Sequence, residues 1–582
     1  MKYKLYNVPS PQFSAREQVL YNRGITSLDT QQNWLLASNN EIYDWEAFRW
    51  PKMQEACRIV DETMQKKQRI TVVIDCDCDG YTSTAIFINF LYMAYGDISN
   101  VTWIHHLGKQ HGLSDVMDEV LDTKPALVVV PDGGSNDIQQ HYQLDELGIA
   151  CLILDHHEIT INPAKTPAFL LNVQSCAYPN KALTGAGVVY KFIMAMEDFL
   201  QLDHSCSEHL QDLCALGNCG DMADYRELEI RAIMRDGFSH IENPFFKTMV
   251  EKQDYSIQKR KGLNYRAMSF YVVPFINAVV RSGTIEEKVI VFNSMLEVYR
   301  NTMVPSSKRG DKKKLVPLAQ EAVLVAERVK RRQTAISDEV MAFLKDKIEK
   351  ENLNKNSCIL LLCEPGEVDV NIAGLAANKL QAIYQKPVLV LTHNLEKDVY
   401  QGSVRNYSLS EVQNLKDILE ATGDTSFVAG HQGAFGCGIP ADKIDDFIKD
   451  TNARIPKSEA VYWVDYLWTG KNNVDPQIIE DIADFNIYGQ NIPEAQVAIQ
   501  DLDLSTCSVT LMSPDKHPTL KIDCGTFEII KFGSSQEEFE RFIAEDNMAL
   551  DVVCECGVNE WNGVVTPQLL VKDYDLYQEW FF

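Results

Sequence analysis

The stretch VVIDCDCDGYTS, residues 72–83, places three aspartates directly behind a hydrophobic run. Asp75, Asp77 and Asp79 alternate with Cys76 and Cys78. The apolar run predicts a buried strand, and alternate side chains of an extended segment point to the same side. We therefore expect the three carboxylates to share one face and the two cysteines to share the other. The glycine that follows should let the chain turn into a helix that begins near position 82.

Three further apolar runs also end in polar side chains that can carry chemistry. They are VTWIHH (101–106), ALVVVPD (126–132) and ACLILDHH (150–157). Helical stretches separate the first strands, and this alternation predicts a parallel sheet with covering helices. Ligands bind such sheets at the carboxyl ends of the strands. We therefore expect Asp132 and the Asp-His-His triplet at 155–157 to converge on the first acidic run.

The clustered acids predict a metal site. Neighbouring carboxylates raise one another's pKa unless cations neutralise them, and carboxylates combined with imidazole suit Mn²⁺ or Mg²⁺. Five or six ligands can hold two ions about 3.5–4 Å apart, which bind a phosphate and lower the pKa of an attacking water. Any single one of these aspartates could instead cap a helix. There are four such acidic sites, of which Asp221 is the fourth, and their number disfavours capping as the explanation for all of them. A calcium loop is disfavoured because its glutamate spacing is missing.

Composition limits the class of protein. The 582 residues suffice for several domains at about 100–200 residues each. A net charge of −27 argues against general attraction to nucleic acid, so acidic ligands need metal ions or clustered cations. The 15 cysteines lack zinc-finger spacing and predict reduced thiols. The sequence shows no apolar run of membrane-spanning length and no signal-peptide core, so we expect a cytoplasmic protein without membrane association.

The remainder of the chain divides by pattern. Residues 1–65 look helical, and a long helix is expected from 318 to 349, after the basic stretch PSSKRGDKKK (305–314). A second α/β pattern runs from 356 to 440. Alternating strands from about 455 onward predict a small all-β unit.

Five stretches together resemble the DHH phosphoesterase superfamily. IDCDCDGYTST (74–84), VVPDGGSND (129–137), LDHHE (154–158) and LGNCGDMADY (216–225) are similar to its metal motifs, in the same order. AGHQGAFGCG (429–438) is similar to the glycine-rich motif of a DHHA1 domain. The RecJ branch is the nearest, and the resemblance extends over residues 15–540 through YNRGI (21–25), LTGAGVVYKF (183–192), VPFINAVVR (273–281) and YGQNIPEAQV (488–497).

The resemblance implies an α/β fold in which a parallel-sheet DHH domain and a smaller α/β DHHA1 domain are joined by a long helix and followed by an OB-like β domain. The expected boundaries are 1–65 for an N-terminal helical segment, 66–310 for the DHH catalytic domain, 311–350 for the connecting helix, 351–455 for the DHHA1 nucleic-acid-binding domain, and 456–582 for the OB-like domain with its C-terminal tail. The basic stretch at 305–314 looks like an insertion.

The resemblance also implies an activity: a 5′→3′ exonuclease that hydrolyses single-stranded DNA to mononucleotides with two divalent cations, Mn²⁺ or Mg²⁺. Carried over by position, the metal ligands are Asp75, Asp77, Asp79, Asp132, His156 and Asp221. Asp132 is the expected bridge, and Asp75 is either a ligand or a support for its neighbours. His157 is expected near the scissile phosphate, and Asp155 is expected to orient a histidine. The expected contacts to DNA are Arg281, Ser403, Arg405, Gly430, His431, Gly433 and Gly436.

The resemblance further implies that the protein binds single-stranded DNA. A single-strand-binding protein, or another replication or repair protein, is a candidate protein partner. We expect a monomer in the cytoplasm of a bacterial cell or phage-infected host. One alternative is a DHH phosphoesterase for short oligonucleotides or cyclic dinucleotides, which the long C-terminal part disfavours. A non-enzymatic scaffold is another, which the complete set of metal ligands disfavours.

The chain departs from the family pattern in places. Cys76 and Cys78 stand where an aromatic and a small residue are usual, and Ala429 replaces a glycine. Segment 103–115 lacks the expected Arg and Tyr but holds three histidines, which either replace a phosphate contact or serve packing or surface roles. Trp463, Trp468 and Tyr488 are candidates for base stacking, with core packing as the alternative.

Overall fold

The computed structural model describes residues 2–108, 111–308, 310, 314–412, 414–456, 460–514, 516–544 and 548–578. Its contacts divide the chain into two compact units. Unit A comprises Gln32–Thr334 and Ile487–Ile492. Unit B comprises the described residues of Met1–Gln31, Ala335–Asn486 and Pro493–Phe582.

The N-terminal segment is mostly helical, as predicted, but opens with a strand. Its elements are β1 (Lys2–Leu5), α1 (Ala15–Asn22), α2 (Leu28–Leu36) and α3 (Met53–Gln65). Helix α1 begins with a capping box in which the Ser14 side chain and the Glu17 side chain each accept a hydrogen bond from the other residue's backbone N–H. Strand β1 pairs in parallel with residues 461–464. Its partner lies far along the chain, so local patterning could not reveal it.

The centre of unit A is a five-stranded parallel sheet, as predicted. Its elements are β2 (Ile70–Ile74), α4 (Cys78–Tyr95), β3 (Val101–His105), α5 (Met117–Asp122), β4 (Leu127–Pro131), α6 (Ile138–Glu146), β5 (Ala150–Asp155) and β6 (Phe169–Asn172). The strand order is β3-β2-β4-β5-β6, with every described pair parallel. Pro131 lies opposite Leu154, so the residues that follow β4 and β5 emerge side by side.

Helices build the rest of unit A. They are α7 (Gly185–Leu200), α8 (Ser205–Gly220), α9 (Leu228–Ser239), α10 (Pro244–Lys252), α11 (Asp254–Gln258), α12 (Tyr265–Tyr271), α13 (Val273–Ser282) and α14 (Ile285–Asn293). A short hairpin follows, β7 (Met303–Pro305) and β8 (Leu315–Pro317). The predicted basic insertion is its connection, and positions 309 and 311–313 lie outside the described residues. The predicted long helix is observed as α15 (Leu318–Lys350).

Unit B contains a second, mixed sheet with helices on both faces. Its elements are β9 (Ile359–Cys363), α16 (Val370–Tyr384), β10 (Val388–Asn394), β11 (Val399–Arg405), α17 (Leu415–Glu420), β12 (Phe427–His431), β13 (Ala434–Pro440) and α18 (Ile444–Arg454). The strand order is β12-β13-β11-β10-β9, with only β9 and β10 parallel among these pairs. Helix α16 packs in the core on one face, and α17 and α18 pack in the core on the other.

The C-terminal part of unit B is a β domain, as predicted. Its elements are β14 (Val461–Val464), β15 (Tyr466–Thr469), α19 (Pro476–Asp484), β16 (Gln496–Asp503), β17 (Ser508–Met512), β18 (Thr519–Asp523), β19 (Glu528–Phe532), α20 (Gln536–Phe542), β20 (Met548–Trp561) and β21 (Val564–Gln578). Seven strands, β15 to β21, form one sheet, and the longest two close the described chain as a hairpin. Among the described helices, none has the length and apolar character to cross a membrane.

Candidate metal centre

The acidic run changes from strand to helix within three residues. Strand β2 ends at Ile74, and α4 already begins at Cys78. Asp77 is the N-cap, and its Oδ1 accepts a hydrogen bond from the backbone N–H of Gly80 at 3.0 Å. The prediction of three alternating carboxylates on one extended face, with a helix from about position 82, is therefore wrong. The capping side chain starts the helix four residues earlier, so Asp79 lies in its first turn.

Gly80 has a different role from the predicted one. It lies inside α4, where an added Cβ would be 2.6 Å from the Cβ of Asp75. The absence of a side chain thus lets the first helical turn pack against Asp75, rather than letting the chain turn.

The other predicted ligands also follow the ends of secondary-structure elements. Asp132 comes directly after β4 in a left-handed conformation (φ 63°), and its backbone N–H donates to the Leu154 carbonyl at 2.7 Å. His156 follows β5, and Asp221 is the C-cap of α8. Gly185, the first residue of α7, leaves room for Asp132, because an added Cβ would be 2.3 Å from its Oδ1.

The structure brings all six predicted metal ligands into one cluster. His156 Nε2 lies 3.2 Å from Asp132 Oδ1, 3.5 Å from Asp221 Oδ2 and 3.9 Å from Asp79 Oδ2. Two sets of side chains each place their ligand atoms within 4.8 Å of one another: Asp79 with His156 and Asp221, and Asp75 with Asp77 and Asp132. Because Asp132 also approaches His156, it lies between the two sets.

Burial and mutual repulsion disfavour ionisation of these acids. Burial, and then the charges of neighbouring aspartates, raise the pKa of Asp132 and of Asp221 well above the usual range. Burial and the charge of Asp77 raise the pKa of Asp79 to about 7, although N–H groups at the start of α7 and the Thr184 hydroxyl donate to its carboxylate. A bound cation would compensate this repulsion.

Two oxygens of the cluster lack hydrogen bonds. Asp75 Oδ1 and Asp132 Oδ1 are buried and accept no hydrogen bond from any described residue. Buried carboxylate oxygens normally have a hydrogen-bond donor or a cation as partner. Carboxylates with one imidazole are a donor set that suits Mn²⁺ or Mg²⁺. The residues present therefore fit the implied divalent cations.

His157 and Asp155 form a separate pair at the edge of the cluster. His157 Nδ1 lies 2.8 Å from Asp155 Oδ1, so the imidazole that Asp155 orients is that of His157, while the backbone N–H of His156 donates to the same oxygen at 2.7 Å. Burial opposes ionisation of both groups, but their hydrogen bond and mutual attraction prevail. They hold the pKa of Asp155 well below its usual value and raise the pKa of His157 to about 9. His157 is therefore a cation at neutral pH, beside the carboxylates.

Two residues support the cluster through contacts that the sequence did not predict. His111 Nδ1 lies 2.7 Å from Asp75 Oδ2, and the Asn277 side chain accepts a hydrogen bond from the Cys78 N–H at 2.9 Å. Asn277 lies in the VPFINAVVR stretch, so its similarity to the family was the available signal. His111 was one of the three histidines noted in segment 103–115, but its contact with Asp75 was not predicted, because that partner lies 36 residues away in the chain.

The other two histidines of segment 103–115 serve packing. Burial lowers the pKa of His105 and of His106 to about 4, so both are neutral at pH 7. His105 Nδ1 lies 3.3 Å from the hydroxyl of Tyr81. Neutral, largely buried imidazoles make poor substitutes for a phosphate-binding arginine. The packing alternative is the one that this structure supports for these two residues.

The predicted DNA-contacting residues divide between the units. Arg281 is in unit A, near the end of α13, and its Nε is buried without a hydrogen-bond acceptor among the described residues. The others are in unit B. Ser403 and Arg405 lie on β11, where Ser403 pairs with Gly436 of β13. Gly430 lies on β12 and Gly433 in the turn that follows.

Two of these unit B residues lie close to a glycine of a neighbouring helix. An added Cβ on Gly374 of α16 would be 3.0 Å from Arg405 Nη2 and 3.3 Å from Ser403 Oγ. Gly430 has a φ of 130°, which other residues rarely adopt. The side chain of His431, another predicted contact, lies outside the described part of the structure.

Of the three candidate stacking aromatics, only one is substantially exposed. Trp468 and Tyr488 are buried, which supports the packing alternative for both. Trp463 is 42% exposed and contacts the ring of Tyr6 at a centroid distance of 5.3 Å.

Family models match three parts of the chain in succession. They are the DHH family, N-terminal domain, over residues 69–218, the DHHA1 domain over residues 355–457, and the RecJ OB domain over residues 469–573. The chain therefore resembles RecJ-like proteins of the DHH family in all three parts. Its fold class is the predicted one: an α/β DHH domain with a parallel sheet, a DHHA1 domain and a C-terminal OB domain.

The similarity to known proteins extends over nearly the full length of this chain. A putative SPbeta prophage-derived single-strand DNA-specific exonuclease, YorK, from Bacillus subtilis is 29% identical over 99% of this chain and 98% of its own. The single-stranded-DNA-specific exonuclease RecJ of the same organism is 23% identical over 95% of this chain and 67% of its own. The crystal structure of RecJ in complex with Mn²⁺ from Thermus thermophilus matches with a TM-score of 0.71 and 18% identity, over 99% of this chain and 79% of that one.

Proposed function

We propose that this protein is a metal-dependent exonuclease that hydrolyses single-stranded DNA to mononucleotides, starting from a 5′ end. The observation that carries the proposal is the convergence of six metal-type ligands beside His157 at one edge of the parallel sheet. Relatives named as single-strand-specific DNA exonucleases support it, as does the likeness to a Mn²⁺-bound RecJ.

The two ligand sets suggest how two cations would be held. Asp79, His156 and Asp221 would bind one, Asp75 and Asp77 would bind the other, and Asp132 would contact both. Divalent cations in such a site neutralise phosphate charge and lower the pKa of a bound water, which makes it a nucleophile at phosphorus.

Other side chains, in each of the two units, would bind and orient the DNA. His157 is held by Asp155 through Nδ1, so its Nε2–H is the donor available to an oxygen of the scissile phosphate. Arg281, Ser403 and Arg405 would bind backbone phosphates, which positions a strand without reading its bases. Glycines 430, 433 and 436 would allow the DNA backbone close to the peptide N–H groups.

Other aspects of the proposal rest on sequence resemblance. They are the domain boundaries, action as a monomer in the cytoplasm of a bacterial cell or phage-infected host, and a single-strand-binding protein or another repair protein as partner. The match of residues 469–573 to the RecJ OB domain favours a long strand as substrate over a dinucleotide.

The decisive experiment uses oligonucleotides labelled at the 5′ or the 3′ end, single- or double-stranded, with Mn²⁺ or Mg²⁺. We expect labelled mononucleotide to appear first from the 5′ end of single strands, and no turnover when a chelator removes the metal. Asp132→Asn is the control for contaminating nucleases and should be inactive. First release from the 3′ end would overturn the polarity, and faster turnover of dinucleotides than of long strands would favour the phosphoesterase alternative.

A further inference from the structure

A cysteine and a histidine lie beside the metal cluster, on the outer side of Asp75. Cys76 Sγ is 3.6 Å from His111 Nδ1 and 3.5 Å from His111 Nε2. The same imidazole is 2.7 Å from Asp75 Oδ2. One ligand atom from each of the three residues lies within 4.8 Å of the other two. The proposed exonuclease chemistry uses neither Cys76 nor His111.

The chemistry of this trio differs from that of the neighbouring cluster. Thiolate, imidazole and carboxylate together are the ligands of Zn²⁺, whereas Mg²⁺ and Mn²⁺ prefer oxygen. Catalytic and accessible zinc sites commonly use three protein ligands and complete the tetrahedron with water. The six ligands of the cluster are oxygens and one imidazole nitrogen, so a sulfur ligand would distinguish the two sites.

The distances fit a tetrahedral ion with little movement. Zinc bonds of about 2.0–2.1 Å to nitrogen and about 2.3 Å to sulfur place the two ligand atoms about 3.5 Å apart. The observed separation of Cys76 Sγ and His111 Nδ1, the nitrogen that also faces Asp75, is 3.6 Å. The contact of His111 with Asp75 would have to lengthen from 2.7 Å to about 3.3 Å. The His111 side chain is 52% exposed and lies in a loop, so a small shift of its ring meets little resistance.

We propose that Asp75, Cys76 and His111 form a second metal site, for a thiophilic divalent cation such as Zn²⁺. Binding would release two protons to solvent, the thiol proton of Cys76 and the Nδ1 proton that His111 shares with Asp75, and would replace that hydrogen bond with two bonds to the metal, while His111 keeps its proton on Nε2. Asp75 would then be held through Oδ2 by the thiophilic ion, while Oδ1 faces the set formed with Asp77 and Asp132. If the proposed exonuclease function holds, Zn²⁺ at this site opposes Mn²⁺-dependent turnover by drawing Asp75 away from the cluster.

Cobalt tests the site directly, because a thiolate ligand gives Co²⁺ a near-ultraviolet charge-transfer band that oxygen and nitrogen ligands do not. We would titrate Co²⁺ into the reduced, metal-free, full-length protein. The band should grow to one equivalent in the wild type and be lost in Cys76→Ser. His111→Gln, a change at a half-exposed side chain that should not affect folding, should weaken Co²⁺ binding at this band by at least about tenfold.

A matched control addresses the other close thiols. Cys507 Sγ lies 3.5 Å from Cys524 Sγ in the β domain, and this pair could also bind a thiophilic ion. Cys507→Ser should therefore retain the band. A wild-type protein without the band, or a band that persists unchanged in Cys76→Ser, would overturn the proposal.

The functional consequence has its own readout. With Mn²⁺ held constant, the Zn²⁺ concentration that halves nuclease activity should rise at least about tenfold in Cys76→Ser and in His111→Gln. Equal zinc sensitivity in all three proteins would overturn the proposed effect on Asp75. Because the cobalt band does not depend on turnover, an inactive protein with an intact band would refute the exonuclease function and leave the metal site standing.

Discussion

Replacing Asp132 by asparagine is expected to change the stability of the protein in opposite directions with and without divalent cations. Asp132 is buried among acids, and its pKa is raised well above the usual range by burial and by neighbouring aspartates. Without metal, its carboxylate is a repulsive element that asparagine removes. With metal, the proposed role of the same carboxylate is to bind both cations, and asparagine would remove that carboxylate.

The size of the effect follows from the geometry. The ligand oxygens of Asp75, Asp77 and Asp132 lie within 4.8 Å of one another. At that distance two unit charges repel by about 3.5 kcal/mol in an effective dielectric constant of 20. Partial protonation relieves some of this, so we expect Asp132→Asn to gain about 1–3 kcal/mol of unfolding free energy in chelator at pH 8. Mn²⁺ at one hundred times its Kd would add about 2.7 kcal/mol to the unfolding free energy of the wild type but not to that of the variant.

The pH dependence has a definite sign. A carboxyl whose pKa is raised in the folded state retains its proton there while the unfolded chain, with a pKa near 3.8, has lost it. The stability of the metal-free wild type therefore falls as pH rises from about 4 towards the folded-state pKa. The stability of the Asp132→Asn variant should fall less over the same pH range. The difference in stability that favours the variant at pH 8 should therefore be smaller at pH 5.

Urea unfolding of both proteins, in chelator and in Mn²⁺, at pH 5 and pH 8, measures these differences. Asp145→Asn, at an exposed position of the same unit, is the matched control and should change stability by less than about 0.5 kcal/mol in every condition. A variant that is less stable than the wild type in chelator at pH 8 would refute the reasoning. Equal stabilisation of both proteins by Mn²⁺ would refute the ligand role of Asp132.

Three further changes test other parts of the molecule. Gly185→Ala should reduce nuclease activity about a hundredfold by displacing Asp132, whereas Gly557→Ala, whose added Cβ would meet its nearest atom at 3.4 Å, should leave steady-state activity unchanged. Arg23→Met should lower the urea-unfolding free energy by about 3–5 kcal/mol, since it leaves Asp465 buried without its bidentate partner, and adding Asp465→Leu should restore part of the loss. Arg405→Gln should weaken binding of every single-stranded sequence alike and reduce the salt dependence of log K by about 0.7, measured by fluorescence anisotropy; a loss confined to particular sequences would contradict a phosphate contact.

The sequence predicted the location of the candidate site because parallel strands impose it. Asp132 and His156 follow adjacent strands, and any parallel sheet with that order places them side by side. Asp221 was included because it also follows an apolar segment, although that segment is a helix and gives no strand signal. The long helix and the C-terminal β domain were also predicted, because their periodicities extend over many residues.

The errors came from local competition and from distant contacts. Asp77 looks like a strand residue by alternation, but an aspartate followed by small and polar residues also caps a helix, and capping prevailed. The contact between His111 and Asp75 and the pairing of β1 with β14 depend on tertiary structure. Short segments carry no local signal of partners that lie tens or hundreds of residues away.

The pairing of β1 with β14 has a consequence for synthesis on the ribosome. At about 5–20 residues per second, the strand made first waits about 25–90 seconds for residues 461–464 to be made. The same delay applies to Arg23, whose buried partner is Asp465. Residues 32–334 of unit A are contiguous and can collapse while unit B is still being translated. Strand β1 must therefore stay unpaired with β14 through that interval, so this early segment depends on protection during biogenesis.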